Sequence, residues 1–335
     1  MNHTSRHAIS IIPNEQTYVK RPRIHHLLEE ALQKPVTAIV AGAGYGKTQA
    51  VYEFLQECDA VTIWLQLSHF DNVPMRLWEN FIYAVSLQNE RLASEFKTVG
   101  FPETRQEYGR FLAMLANAAK EDKRYVMVYD DFHLISEPSV LNFFERFLYA
   151  QVPNLSIIII SRKEPGVNAM KLLSKDMLAI ADENVLRFSK EEMIHYFRVQ
   201  NIHLSTKTIS EIYSYTEGWI FAILLVGFSL KKGYASEEYA ISVAKQNVFR
   251  LIEKEAFSII SKELQFFLIQ LSLIDHLPLE LLEKLSSQLI TLENDSTLIQ
   301  FVISLVKALT IVWLCSIKLF SYKNCWILFK KGVKF

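Results

Sequence analysis

The chain has 335 residues, half of them apolar, and its 36 basic side chains are balanced by 36 acidic ones. This composition is globular and excludes a general electrostatic attraction to nucleic acid. There are three cysteines, Cys58, Cys315 and Cys325, and their spacing fits neither a metal site nor a disulfide framework. The N-terminal stretch from Met1 to Asn14 has no apolar segment of the kind found in secretory signals. We therefore expect a cytoplasmic location.

Residues 1–20 are predicted to form an extended lead-in to a first helix. Apolar residues between Ile24 and Leu32 recur at helical spacing, and Pro35 marks the end of that helix. Arg21 and Arg23 stand at its start. They are either solvated residues of a turn or part of a segment that closes over a ligand bound at the loop that follows.

The central feature of the sequence is a glycine-rich turn between a predicted strand and a predicted helix. Val36 to Val40 form a short apolar run, and Lys47 opens an amphipathic stretch. Glycine tolerates positive φ, so backbone amides here can surround a phosphate at the start of a helix. The predicted ATP-binding residues are Gly42, Ala43, Gly44, Tyr45, Gly46, Lys47 and Thr48.

Two of these residues have distinct predicted roles. Lys47 is expected to reach the β- and γ-phosphates, and the Thr48 hydroxyl to ligate Mg²⁺. The usual pattern has glycine where this chain has Ala41. The alternative is a tight turn with a solvated lysine, and a second acidic strand end would argue against it.

That acidic strand end follows downstream. A strand is predicted at residues 61–67, a helix from Pro74, and another strand at residues 125–129 that ends in Asp130 and Asp131. Carboxylates at the end of a buried strand suit a Mg²⁺–phosphate site. Asp130 is predicted to hold the ion and Asp131 to orient an attacking water.

The remaining strands lead into a helical region. Residues 155–160 predict a fully buried strand followed by Arg162, and residues 184–188 predict a fifth strand. Ser189 with Glu192 forms a capping box. Helices are predicted from there to residue 230, and the stretch from Thr216 to Trp219 is interpreted as a glycine C-cap followed by a core tryptophan.

These motifs, in this order, resemble a known family. The stretches 42–48, 129–135, 161–165 and 216–219 together resemble the N-terminal ATPase part of the large ATP-dependent LuxR-type transcription regulators of the MalT kind, which are STAND-class P-loop NTPases. The resemblance covers residues 20–288. Members of the family also lack the first loop glycine, in agreement with Ala41.

The resemblance implies an α/β fold, a five-stranded parallel sheet with helices on both faces. The strand of Arg162 would lie between those of Lys47 and Asp130, and Arg162 would sense the γ-phosphate. The implied domains are the NTPase domain at 21–189, an all-α lid at 190–246 and an incomplete winged helix at 247–288. ATP and an inducer would favour self-association, and DNA would be contacted only through C-terminal domains that this sequence lacks.

The composition changes at the C-terminal end. From Ser296 onward there are six lysines and no acidic residue, and an apolar run extends from Phe301 to Phe320. We interpret residues 289–335 as a shifted reading frame or a truncated gene end. The alternative is a membrane span, which Lys307 disfavours because a buried lysine costs about 2.5–3.5 kcal/mol on insertion.

Three functions are therefore compared. The preferred one is a slow ATPase switch module of a transcription regulator. The others are a stand-alone AAA-like ATPase, which should show fast hydrolysis, and a membrane-anchored ATP-binding protein.

Overall fold

A computed structural model of the chain describes residues 19–119 and 124–231, together with six residues between 238 and 246. Contacts divide the chain into two compact units. The first comprises Met1–His203 with Gly218–Ile223, and the second comprises Leu204–Glu217 with Leu224–Phe335. The first unit contains the sheet and every residue discussed as a candidate site below.

The first unit is built on a five-stranded parallel sheet of order β2-β3-β4-β1-β5. The strands are β1 Val36–Val40, β2 Val61–Gln66, β3 Tyr125–Asp130, β4 Leu155–Ser161 and β5 Leu178–Ala181. β4 pairs with β3 on one side and with β1 on the other, in parallel register. The predicted fold and the central place of the strand before Arg162 are confirmed.

Helices connect the strands and continue after the sheet. Their bounds are α1 Pro22–Ala31, α2 Lys47–Gln56, α3 Pro74–Ser86, α4 Glu90–Val99, α5 Arg105–Ala118, α6 Pro138–Leu148, α7 Ala169–Ser174, α8 Glu183–Leu186, α9 Lys190–Val199, α10 Thr206–Thr216 and α11 Ile220–Lys231. Short 3-10 helices lie at His69–Asn72 and Phe132–Leu134.

The two faces of the sheet bury different kinds of side chain. Successive residues of a strand point to opposite faces of the sheet. On one face, Val126 and Val128 pack in a hydrophobic cluster with α1 and α2. On the other face, Met127 and Tyr129 pack in a larger hydrophobic cluster with α3 to α6. The larger cluster is rich in aromatic contacts. Around Trp78 the ring centroids of Phe81 and other rings lie 5.2–6.4 Å away.

The predicted fifth strand at 184–188 is wrong. β5 lies earlier, at Leu178–Ala181, where it pairs with β1. Residues 183–186 instead form α8, because the Asp182 side chain accepts hydrogen bonds from the backbone of Asn184 and Val185 and caps a helix there. The apolar spacing also predicts helices at the positions of α5 and α6, but it predicts none at those of α4 and α7.

The helices after the sheet agree with their predicted positions. The capping box is present, since Ser189 accepts from the Glu192 amide while the Glu192 carboxylate accepts from the Ser189 amide. In the second unit, α10 begins after Ser205, which accepts from the Thr208 amide. The domain boundary predicted at 189/190 stays a prediction.

The winged-helix region predicted at 247–288 and the tail at 289–335 lie outside the described residues, as does the lead-in up to residue 18. Over the part of the chain that the structure describes, no helix combines the length and apolarity needed to cross a bilayer.

Candidate functional site

The glycine-rich loop connects β1 to α2 at the carboxyl edge of the sheet. Gly44 and Gly46 have φ of 79° and 70°, a backbone conformation that side chains with a Cβ rarely adopt. Gly46 is the residue directly before α2, so the free amides of the first turn of this helix face the loop. The arrangement is that of an anion cradle at a helix N-terminus.

Lys47 is held inside this loop. Its Nζ donates hydrogen bonds of 2.7 Å to the carbonyl oxygens of Ala41 and Gly42, and the residue is buried. Burial lowers the pKa of the ammonium, as does the positive charge of Arg162, while the carboxylates of Asp130 and Asp131 raise it. Within the part of the chain that the structure describes, the ammonium of Lys47 thus donates to backbone carbonyls, and an anionic ligand could replace them.

Thr48, in the first turn of α2, and Asp130, at the end of β3, are brought together although β1 and β3 are not neighbours in the sheet. The Thr48 hydroxyl donates to Oδ2 of Asp130 at 2.9 Å. Asp130 is 2% exposed, and this burial raises its pKa to about 6, with the repulsion of Asp131 adding and the Thr48 hydrogen bond opposing. A hydroxyl next to a desolvated carboxylate is an oxygen donor pair of the kind that Mg²⁺ prefers with phosphate oxygens.

This donor pair fits Mg²⁺ held partly by a nucleotide rather than wholly by protein. Among the described residues there is no group of three or more His, Cys, Asp or Glu side chains that could hold a metal. Magnesium typically takes one or two protein oxygens and fills its remaining positions with water and phosphate. The residues present fit that coordination.

Asp131 has two neighbours that the sequence analysis did not single out. Gln66, the last residue of β2, donates from Nε2 to Oδ2 of Asp131 at 2.6 Å. Nδ1 of His133 lies 3.8 Å from Oδ1, beyond hydrogen-bond distance, and burial lowers the pKa of this imidazole. Both residues end or follow neighbouring parallel strands, so the shared edge was the signal that could have identified them.

Arg162 follows β4 and stands between the other two site strands. It is exposed, and within the described ranges no hydrogen bond or ion pair engages its guanidinium. Its positive charge nevertheless contributes to lowering the pKa of both Lys47 and His133. An unpaired arginine is thus placed at the carboxyl edge next to the lysine of the loop.

Arg21 and Arg23 occupy a different place. Arg21 is buried and donates to the carbonyls of Leu186 and Arg187 at 2.7 and 2.9 Å, and its Nε lies 3.3 Å from Oε1 of Glu192. Arg23 donates to the Arg187 carbonyl at 2.8 Å and to Glu192 at 3.3 Å. The prediction that Arg21 is a solvated residue of a turn is therefore wrong. That Arg21 and Arg23 belong to a segment that closes over a nucleotide stays a prediction.

Trp219 is not the core residue that the sequence analysis expected. It is half-buried, and its indole nitrogen donates to the carbonyl of Ala43 at 3.0 Å. Two residues on, the backbone amide of Phe221 donates to the carbonyl of Gly44 at 3.0 Å. The loop therefore has a second set of contacts from a segment 176 residues downstream, and no local pattern in the sequence indicated it.

Comparison with known proteins gives several sequence relatives that are transcriptional regulators. No protein-family model matches the chain. The chain is 26% identical over 267 residues to the HTH-type transcriptional regulator MalT of Vibrio cholerae, covering 77% of this chain and 29% of the relative. It is 25% identical over 228 residues to MalT of Yersinia enterocolitica, covering 67% of this chain and 25% of that relative. The chain thus spans less than a third of the length of the curated relatives it matches.

Solved structures share the fold at lower identity. A Walker-type ATPase of Pyrococcus abyssi superposes with a TM-score of 0.56 at 16% identity, over 75% of this chain and 78% of that one. A signal transduction ATPase with numerous domains (STAND) from Pyrococcus horikoshii, with a tetratricopeptide-repeat sensor, superposes with a TM-score of 0.51 at 18% identity, over 78% and 35%. Sequence and fold together confirm the resemblance inferred from the motifs: the chain is similar to the N-terminal ATPase region of the MalT-type regulators.

Proposed function

We propose that this chain carries an ATP-binding switch module that holds ATP with Mg²⁺ at the loop between β1 and α2. The observation that supports this most directly is the hydrogen bond between Thr48 and the buried Asp130, beside a lysine enclosed by the glycine loop. The mutual approach of these groups requires β1 and β3 to lie on either side of β4. A tight structural turn needs no such convergence.

Each residue has a role that follows from its position. The amides of residues 44–46 and the ammonium of Lys47 bind phosphate oxygens, and Thr48 with Asp130 holds Mg²⁺. Bound Mg²⁺ neutralises charge that develops on the phosphates. Asp131, fixed through Gln66, orients a water, and Arg162 senses the γ-phosphate.

The regulatory context comes from the sequence relatives. They are named as HTH-type transcriptional regulators, and this chain matches about three tenths of the length of the Vibrio cholerae protein. We therefore place the ATPase module in a regulator whose DNA contacts come from other domains. ATP and an inducer of unknown identity would favour its self-associated state.

The test is ATP affinity measured by calorimetry in the presence of Mg²⁺. Lys47→Ala should weaken binding more than about tenfold, since a hydrogen bond to a charged group contributes roughly 1.5–3 kcal/mol. Lys97→Ala, which removes an exposed lysine of α4, is the matched control and should bind as the wild type does. Equal affinity of the Lys47→Ala and wild-type proteins would refute the site.

Hydrolysis rate separates the switch from a stand-alone ATPase. A switch must hold its ATP state, so steady-state turnover should be well below the roughly 10 s⁻¹ typical of enzymes. Turnover at tens per second without any partner would favour the stand-alone ATPase. The assay needs only the purified chain and a phosphate-release measurement.

A further inference from the structure

The outer side of the phosphate loop is covered by residues 219–221, which we call the loop clamp. A Cβ placed on Gly44 would lie 2.6 Å from the Cβ of Phe221 and 2.9 Å from the indole nitrogen of Trp219. One placed on Gly46 would lie 3.1 Å from Cδ1 of Ile220. The glycines of the loop therefore allow the close approach of the loop clamp as well as positive φ.

Four successive carbonyl groups of the loop accept hydrogen bonds. Lys47 donates to the carbonyls of residues 41 and 42, and the loop clamp donates to those of residues 43 and 44 through the Trp219 indole and the Phe221 amide. Only the second pair is independent of the lysine. If Lys47 turns to a phosphate, the carbonyls of residues 43 and 44 are still held by the loop clamp.

The direction of these carbonyls decides the direction of the loop amides. A peptide group is planar and trans, so its N–H points opposite to its C=O. When the Ala43 and Gly44 carbonyls are held by the loop clamp, the amides of Gly44 and Tyr45 must point to the other side of the loop. In the proposed nucleotide site, that is the side on which a phosphate would bind.

The loop clamp is itself anchored. Gly218 has φ of 78° and its carbonyl accepts from the Phe188 amide at 2.8 Å. A Cβ at this position would lie 2.3 Å from the Phe188 carbonyl oxygen, so the chain approaches as closely as only glycine permits. The donors of the loop clamp are thus presented from a fixed backbone.

We propose that Trp219 is a positioning residue for phosphate binding: through the loop clamp it sets the orientation of the loop amides before a phosphate arrives. The proposal rests on the proposed nucleotide site and adds to it a residue that does not touch the nucleotide's base. Preorganised donors bind a ligand more tightly, because the conformational entropy of ordering them is lost on folding and not on binding. The loss of one loop-clamp hydrogen bond should therefore weaken binding of phosphate groups specifically.

The experiment compares Trp219→Phe with wild type in the full chain. The substitution keeps an aromatic ring and removes the N–H donor. Inorganic triphosphate with Mg²⁺ should bind about three- to tenfold more weakly, as expected for one hydrogen bond, while adenosine affinity should not change. Trp64→Phe is the matched control, because the Trp64 indole nitrogen is buried without a hydrogen-bond partner in the structure.

The outcomes separate this proposal from the proposed function. If Trp219→Phe binds triphosphate like the wild type while Lys47→Ala loses it, the positioning role is wrong and the site stands. If Trp219→Phe lowers adenosine affinity by the same factor as triphosphate affinity, Trp219 contacts the base and the proposal is overturned. If neither variant changes triphosphate binding, the nucleotide site and the positioning role both fail.

A measurement on the wild-type protein covers the case in which Trp219→Phe does not fold. The chain has five tryptophans, so nitrogen-15 labelling of tryptophan gives a small set of indole N–H signals. Titration with inorganic triphosphate should shift at least one of them strongly. If triphosphate binds and no indole signal moves, the proposal is overturned.

Discussion

Two arginine-bearing regions of the same unit differ in how their guanidinium groups are used. At the start of α1, Arg21 is buried against Glu192 and the carbonyls at the end of α8, with the Phe188 ring 4.9 Å from its guanidinium carbon. At the end of β4, Arg162 is exposed and forms no hydrogen bond within the described residues. The first arginine is satisfied by the fold, whereas the second has its hydrogen-bonding capacity free.

The difference indicates what each arginine stabilises. A buried charge is tolerated only where partners replace its hydration, so the surroundings of Arg21 are part of the folded framework. An exposed arginine stays hydrated and does not lower the stability of the fold, and its guanidinium can bind an anionic ligand. We therefore expect substitutions in the first region to change stability and those in the second to change ligand preference.

The largest expected effect is on stability. Arg21→Ala removes one partner of Glu192, which keeps Arg23 and the Ser189 amide, and it also removes the buried donor to the Leu186 carbonyl. Losing hydrogen bonds from a charged group in this way should lower the free energy of unfolding by about 1.5–3 kcal/mol. Urea denaturation followed by circular dichroism measures it. Arg23→Ala is the matched control, since its side chain is 45% exposed and should cost less than about 1 kcal/mol. Equal losses for the two variants would contradict the distinction drawn here.

The second effect is on ligand preference. Arg162→Ala should reduce the ratio of ATP to ADP affinity about tenfold, or 1.4 kcal/mol, because the side chain is proposed to contact the γ-phosphate alone. Its free energy of unfolding should stay within about 0.5 kcal/mol of wild type. Calorimetric titration with each nucleotide gives the ratio. An unchanged ratio, or a stability loss like that of Arg21→Ala, would remove Arg162 from the proposed site.

The smallest effect is a pH dependence at the first region. Burial opposes the charge of Glu192, but Arg21, Arg23 and the Ser189 amide outweigh it, so its pKa in the folded state is lowered. A lowered folded-state pKa gives stability that is present above the unfolded value of about 4.3 and is lost as the pH falls toward the folded-state pKa. The stability gap between wild type and Glu192→Gln should therefore shrink from pH 7 to pH 3. If the difference in stability between the two proteins stays constant from pH 7 to pH 3, the charge of Glu192 does not cause it.

Local sequence patterns were sufficient to predict most of the strands and the ligand-binding loop. Four strands, the loop before Lys47 and the acidic end of β3 carry their signal in consecutive residues, where apolar runs end in glycine or aspartate. The order of the strands followed from the resemblance to a family. The approach of Thr48 to Asp130 then follows, because parallel strands end at the same edge.

Long-range contacts account for what local pattern missed. Residues 184–188 look like a strand, yet their carbonyls at 185–187 accept from Arg21 and Arg23, some 160 residues earlier in the chain. Trp219 looked like a core residue because an indole N–H bound to a distant backbone carbonyl leaves no trace in spacing. Gln66 was missed although it ends a strand at the same edge of the sheet as Asp130.

The sheet order has a consequence for synthesis on the ribosome. β1 is the first strand made, but its neighbours are β4 and β5, so its edges stay unpaired until roughly 115 more residues have been added before β4 begins at Leu155. At about 5–20 residues per second this interval lasts roughly 6–23 seconds. Throughout this interval β1 lacks both of its partner strands. The ligand-binding loop is therefore synthesised early, but the sheet that positions it is completed late.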